Sequence, residues 1–174
     1  MAPKKKEEER EFCAGSFTFQ DGSVYEGHYI KKDTSTDLTQ QVSGSRLSAT
    51  AASKLNTSTH SLERGTSAPT VIPQGLGIFR DCSGAIYDGQ WLDGKMYGTG
   101  TLTFPSGCYY KGEFLANHYN GVGKYAWPDG SYYKGEWRQG MMHGSGMYMD
   151  ASGRCWHGVF TDGVCTSAVA EQVF

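Results

Sequence analysis

The sequence predicts an all-β fold: an elongated, single-layer, twisted antiparallel β-meander of stacked hairpins, with no closed barrel. Three observations predict it. Glycine and aromatic residues are both abundant, with 24 Gly, 11 Tyr, 8 Phe and 4 Trp in 174 residues. These residues recur in columns with a fixed period along the chain. Between the turn-forming residues, side chains alternate with the period of two that marks a β-strand.

The repeat is visible as five columns that keep one step of 23 residues. A fixed period of this size indicates an array, in which each unit buries its apolar face only against its neighbours. The columns are Gly84, Gly107, Gly130 and Gly153; Tyr87, Tyr110, Tyr133 and Trp156; Gly89, Gly112, Gly135 and Gly158; Trp91, Phe114, Trp137 and Phe160; and Gly98 with Gly100, Gly121 with Gly123 and Gly144 with Gly146.

One copy, residues 83–105, reads as a β-hairpin. Tyr87, Gly89 and Trp91 share one face of its first strand, and residues 92–95 form a turn around Asp93-Gly94. The second strand alternates again over residues 98–104. Glycines on the aromatic face leave room for a ring from a neighbouring strand. We therefore expect the hairpins to stack into one sheet whose core is a ladder of rings.

The same columns predict the boundaries of the array. Gly22 and Tyr25 fit the pattern but stand 39 residues too early, so one repeat is split by an insertion. The last copy stops after Gly163 and lacks a second strand, which predicts a half-repeat cap. The predicted segments are a charged N-terminal tail, 1–14; the array, 15–163, with a split repeat 21–30/74–82, an insertion 33–73, full repeats 83–105, 106–128 and 129–151 and a half repeat 152–163; and a C-terminal tail, 164–174.

The insertion differs in composition from the repeats, being rich in Ser and Thr without an aromatic residue. Such a segment is expected to be a flexible loop when alone. Within it, Leu47, Ala51 and Leu55 lie at i, i+4 and i+8, which is typical of a short amphipathic helix formed on a partner. We expect deletion of 33–73 to leave the fold intact and to weaken partner binding.

No constellation of catalytic or metal-binding residues stands out. Of the five histidines, only His143 falls in a repeat column, where the equivalent residues are Tyr97 and Asn120, so packing at a turn explains it better than chemistry. The Gly-x-Gly pairs lack the third glycine and the helix of a nucleotide loop. The five cysteines form no C-x-x-C pair. We expect no enzymatic activity, no cofactor, no metal and no nucleic-acid partner.

The pattern of residues 133–146, Tyr133-x-Gly135-x-Trp137 followed by Gly140 and His143-Gly144-x-Gly146, closely resembles the MORN repeat (membrane occupation and recognition nexus). Small chains that consist almost entirely of such repeats are similar to components of cilia and flagella, including radial-spoke-head proteins. The resemblance implies a cytoplasmic, cytoskeletal scaffold, with the ciliary or flagellar axoneme as its location. The residues expected to contact protein partners on the aromatic face are Tyr25, Tyr87, Trp91, Tyr110, Phe114, Tyr133, Trp137, Trp156 and Phe160.

Two further readings stay open at this point. A peripheral membrane module would bind anionic phospholipid through the repeats, but residues 75–163 hold seven basic and eight acidic side chains, so they lack the basic excess that such binding favours. On the polar face, Asp88, Glu113 and Glu136 with Lys111 and Lys134 form either a solvated charge ladder or a docking surface. A homodimer is compatible with the array.

Overall fold

The computed structural model describes residues 12–32 and 70–171. In this part of the chain every regular element is a strand, and eleven strands form one antiparallel sheet in the order of the sequence. This confirms the predicted single-layer meander without barrel closure. The strands are β1 (Phe12–Thr18), β2 (Val24–Lys32), β3 (Thr70–Arg80), β4 (Ile86–Leu92), β5 (Lys95–Thr103), β6 (Tyr109–Leu115), β7 (His118–Ala126), β8 (Tyr132–Arg138), β9 (Met141–Met149), β10 (Cys155–Thr161) and β11 (Val164–Glu171).

Two kinds of turn alternate along the meander. From β4 onwards, two-residue turns close the hairpins at one side, and the predicted Asp93-Gly94 turn is one of them. Both of its residues have positive φ, 48° and 76°, as a two-residue hairpin of matching twist requires. Five-residue loops close the other side, and in each of them a glycine amide donates to the carbonyl three residues earlier, as Gly107 does to Phe104. The regular alternation keeps successive repeats in the same register.

The core occupies one face of the sheet, which we call the front face. Four tyrosines, Tyr25, Tyr87, Tyr110 and Tyr133, have the most deeply buried side chains in the described part of the chain. Each ring lies over a glycine of the next strand, where a Cβ would collide with it. In the hairpin β4–β5, a Cβ on Gly100 would come within 2.6 Å of the Tyr87 hydroxyl oxygen. Gly77, Gly100, Gly123 and Gly146 are therefore notches that receive tyrosine rings, as the sequence predicted for glycines on the aromatic face.

The ladder of rings continues from one repeat to the next through edge-to-face contacts. The Tyr110 ring lies 5.1 Å from Phe114 in its own strand and 5.3 Å from Trp137 in the following repeat, both nearly perpendicular to it. Tyr87 and Tyr133 make the same two kinds of contact. Perpendicular pairs at this separation add stabilisation beyond the apolar area that they bury. The core is thus continuous along the array.

The ends of the array differ from the predicted boundaries. The segment 164–174 is not simply a tail, since β11 pairs along the whole of β10 and supplies the second strand that the last copy was predicted to lack. Ala168 stands opposite Gly158, where other hairpins have a glycine. A glycine is dispensable there because Trp156 replaces the tyrosine of that column. At the other end, residues 12–14 of the predicted tail belong to β1.

The insertion is placed at the tip of a hairpin, as predicted, because Lys32 at the end of β2 pairs with Thr70 at the start of β3. Its predicted end at residue 73 is wrong, since residues 70–73 belong to β3. The Pro73 carbonyl accepts a hydrogen bond from the Gly94 amide, which ties this part of β3 to the next turn.

Substitution of a notch glycine tests this packing. Gly100→Ala is expected to destabilise the fold by about 1–3 kcal/mol, the usual cost of forcing extra volume into a packed core. Gly15→Ala is the matched control, because its Cβ would lie 3.3 Å from the nearest atom, on the Tyr29 ring of the neighbouring strand. Urea unfolding of both variants measures the difference, and equal stabilities would contradict the notch.

Candidate functional site

The residues predicted to contact a partner are, with one exception, buried core residues. Among the nine front-face aromatics, eight are at most 7% exposed, and Trp156 is half-buried. A partner approaching this face would therefore touch other atoms first. The predicted contact surface therefore has to be amended, because eight of its nine side chains are buried. The buried residues are Tyr25, Tyr87, Trp91, Tyr110, Phe114, Tyr133, Trp137 and Phe160.

A second set of rings is more accessible and was not predicted. We call Tyr125, Trp127, Tyr148 and Trp156 the aromatic rim; all four are half-buried and form a chain of neighbours. The ring centroids are 4.9 Å apart for Tyr125 and Trp127, 6.0 Å for Trp127 and Tyr148, and 5.9 Å for Tyr148 and Trp156. Tyr125 and Tyr148 are 23 residues apart, so the same column analysis contains a signal for them.

The rim ends in a cationic side chain. The Arg154 guanidinium lies 5.5 Å from the centre of the Trp156 ring, a favourable arrangement for a cation over an aromatic face. The same guanidinium is 2.7 Å from the Asp150 carboxylate. The rim therefore combines apolar rings with a charged group that is already held in place.

The polar atoms of five core rings are directed at backbone carbonyls. The hydroxyls of Tyr87, Tyr110 and Tyr133 each donate to the carbonyl three residues later, at 2.8, 2.9 and 3.1 Å. The indole N–H groups of Trp91 and Trp137 donate to the carbonyls of Gly77 and Gly123, at 3.0 and 3.1 Å. These bonds fix ring orientation while they satisfy groups that would be costly to bury alone.

Burial also changes the acidity of the tyrosines. Loss of water around the ionised form raises the pKa of Tyr25, Tyr125 and Tyr133 to about 12 from an ordinary value of 10.0. Burial raises the pKa of Tyr87, Tyr110 and Tyr119 further in the same direction. These phenols therefore stay protonated near neutral pH.

The raised pKa values predict loss of stability in alkali. The folded state disfavours tyrosinate, so its stability is intact below pH 10 and falls as the pH rises from 10 towards 12, where the unfolded chain loses protons first. Thermal unfolding across this range, followed with tyrosinate absorbance, measures the effect. Tyr125→Phe should make the dependence less steep, because it removes one of the six perturbed phenols, and a pH profile unchanged up to 12 in the parent chain would contradict the assignment.

The opposite face of the sheet, here called the back face, carries the charged residues. Glu113 and Glu136 do not pair with lysines. Instead, each accepts the backbone N–H of a strand irregularity: Val122 donates to Glu113 at 3.2 Å and Ser145 to Glu136 at 3.1 Å. Gln90 accepts the Thr99 amide in the same way, at 3.0 Å. At these two glutamates the predicted charge ladder is replaced by a cap on each β-bulge.

The cap predicts a simple difference between two substitutions. Glu113→Gln keeps a carbonyl oxygen for the Val122 amide and should change stability little, because Gln90 fills the equivalent position in the preceding repeat. Glu113→Ala removes the acceptor and should cost about 1 kcal/mol, the usual net worth of one hydrogen bond. Chemical unfolding of the pair measures this, and equal losses would show that charge rather than capping matters.

The remaining predicted features can be placed briefly. The predicted docking segment, Leu47, Ala51 and Leu55, lies outside the described residues. Within 12–32 and 70–171 there is no group of three or more His, Cys, Asp or Glu side chains that could hold a metal ion. His143, from the repeat column, lies with Nδ1 3.6 Å from the Asp162 carboxylate. No helix capable of crossing a bilayer occurs in the described segments.

The sheet and its two faces define a hairpin-repeat protein: in the described residues the front face buries a ladder of rings, and the back face carries charged and exposed apolar side chains. The MORN repeat family model matches residues 87–109, 110–132 and 133–153. Three MORN repeats are thus detected over these residues, and they point to a module that binds proteins or membranes. A search of curated proteins finds no match to the chain.

Proposed function

We propose that this chain is a non-catalytic scaffold that binds other proteins within a cytoskeletal assembly, in the axoneme of a cilium or flagellum. The observation that carries the binding role is the aromatic rim. Partly exposed tyrosine and tryptophan side chains are the residues most enriched at the centres of protein interfaces. The cytoskeletal and ciliary setting rests on the resemblance to small MORN-repeat chains.

The rim is suited to binding because its rings are already ordered. Tyr148 packs against Trp127 and Trp156, and the backbone of all four rim residues is fixed by the sheet or its loop. Binding to a pre-organised surface avoids much of the entropy cost of immobilising side chains. A peptide lying along the rim would meet apolar rings and then the Arg154 guanidinium.

The tyrosine chemistry supports a binding role over a catalytic one. A general base or acid works best with a pKa near the working pH. In the described segments, burial moves the pKa of Tyr25, Tyr125 and Tyr133 upwards to about 12, away from neutrality. The hydroxyls of Tyr87 and Tyr110 are engaged by backbone carbonyls within their own strands.

Detergent extraction of ciliated cells tests the proposal. The tagged chain should stay with the detergent-resistant cytoskeletal fraction and localise to the axoneme. Trp127→Ala should release it, whereas Val159→Ala, an exposed back-face residue of β10, should not. A diffuse, fully extractable parent chain would overturn the proposed setting, and equal retention of both variants would remove the rim from the binding site.

A membrane-binding role is the second candidate, because three lysines, Lys111, Lys124 and Lys134, stand side by side on the back face. Lysine clusters attract anionic lipid. Asp88, however, belongs to the same row across the sheet and would face the same bilayer. Flotation with phosphoinositide vesicles at low salt distinguishes the two roles, because binding of the chain to these vesicles would favour the membrane role over the scaffold.

The insertion gives a further prediction. Because Lys32 pairs directly with Thr70, residues 33–69 can be replaced by a two-residue Asn-Gly turn that closes the hairpin. The shortened chain should keep its β-sheet circular dichroism and thermal stability but bind its axonemal partners less well. Unchanged capture by isolated axonemes would exclude the insertion as a docking segment, and loss of the sheet signal would show that it supports the fold.

A further inference from the structure

One row of back-face residues crosses the sheet in continuous register, and the charge of its side chains changes from negative to positive in the middle of the row. Residues opposite each other on neighbouring strands point to the same face. At Thr101 on β5 the row turns from acidic to basic, with Asp88 on one side and Lys111 on the other. From β2 to β8 the row reads Glu26, Ile78, Asp88, Thr101, Lys111, Lys124 and Lys134.

The basic half of this row has no carboxylate partner within the described sheet, although the Lys124 ammonium lies 3.9 Å from the centre of the Tyr132 ring. Lys124 stands directly opposite both Lys111 and Lys134, and like charges in this position are destabilising. None of the three ammonium groups forms an ion pair with a carboxylate of the described residues. The nearby Glu113 and Glu136 accept backbone amides instead. The fold thus carries a cost that a negatively charged partner would relieve.

We propose that the back face of strands β3–β7 docks a second copy of this chain, face to face, about a twofold axis parallel to β5. Such an axis lays β4 of one copy over β6 of the other, and β3 over β7. Asp88 then faces Lys111 of the second copy, and Ile78 faces the aliphatic stem of its Lys124. The dimer does not depend on the cytoskeletal role proposed above.

The exposed apolar side chains of this face are also placed symmetrically about the proposed twofold axis. Leu76 on β3, 59% exposed, would lie against Val122 of the second copy, which is 55% exposed on β7. Leu92 on β4 would lie against Leu115 on β6, and Tyr97 on β5 would meet its own equivalent at the axis. All five are exposed large hydrophobic residues on a face that the single chain leaves uncovered.

The area is sufficient for a specific dimer. Five strands at ~4.8 Å spacing and about seven residues in length cover roughly 550 Å² on each copy, or about 1,100 Å² in total, which reaches the lower limit of a specific interface. A second copy also fits better than a uniformly acidic partner, because Glu26 and Asp88 would repel such a partner. Only a partner with the inverse order of charges satisfies both halves of the row.

Charge reversal tests the pairing with the full-length chain. Analytical ultracentrifugation of the parent chain should show a dimer. Asp88→Lys alone and Lys111→Asp alone should each be monomeric, because each places like charges across the axis. An equimolar mixture of the two variants should regain the dimer, since the lysine introduced in one variant then faces the aspartate introduced in the other. Lys31→Asp, an exposed reversal on β2 outside the face, should leave the dimer intact.

Several outcomes would overturn the inference. A monomeric parent chain excludes the dimer, and dimers that persist in both single variants place the interface elsewhere. Monomeric single variants whose mixture stays monomeric exclude the proposed pairing. Loss of the dimer in Lys31→Asp would show that the charge-reversal variants act through net charge and not through a specific contact. Circular dichroism of each variant confirms that these exposed substitutions leave the sheet folded.

Discussion

The placement of a tyrosine ring over a glycine of the next strand is the contact on which the rest of the structure depends. A single-layer sheet has no second layer to cover its apolar face, so the face must bury itself. It does so by laying Tyr25, Tyr87, Tyr110 and Tyr133 flat along the sheet, into space that glycines leave free. The hydroxyl of each ring then reaches a backbone carbonyl three residues ahead, which fixes the ring direction.

This constraint also explains why the two faces of the sheet differ. Rings that interlock along the front face leave partly exposed aromatics such as the aromatic rim within reach of a partner, while the back face is free to vary in charge from repeat to repeat. The position between Tyr and Gly holds Asp88 in one repeat and Lys111 in the next, without effect on the notch behind it. A scaffold can therefore diversify its contacts while its core stays periodic.

Much of the fold could be predicted from the sequence because the notch leaves a direct trace, a fixed Tyr-x-Gly spacing with a glycine partner one strand away. Strand β11 could not be predicted in this way. Trp156 replaces the tyrosine of its column and does not require a glycine on the opposite strand, so Ala168 carries no repeat signal. The functional surface was harder to predict. Column residues such as Tyr110 are periodic because they are core, and periodicity alone does not distinguish a buried ring from an exposed one. Capping by Glu113 depends on a bulge whose trace in the sequence is the column of Gly98, Gly121 and Gly144, which have positive φ and face the capping side chains. The column alone does not distinguish these glycines from the notch glycines.

Ring-current shifts in the proton NMR spectrum test the central claim most directly. The Hα protons of Gly77, Gly100, Gly123 and Gly146 lie beneath tyrosine rings and should resonate well upfield of the turn glycines Gly130 and Gly140, which have no neighbour within 4 Å of a Cβ position. Replacement of Tyr110 by Leu should return Gly123 alone to the ordinary range. Hα shifts for the four notch glycines equal to those of the turn glycines would contradict the account.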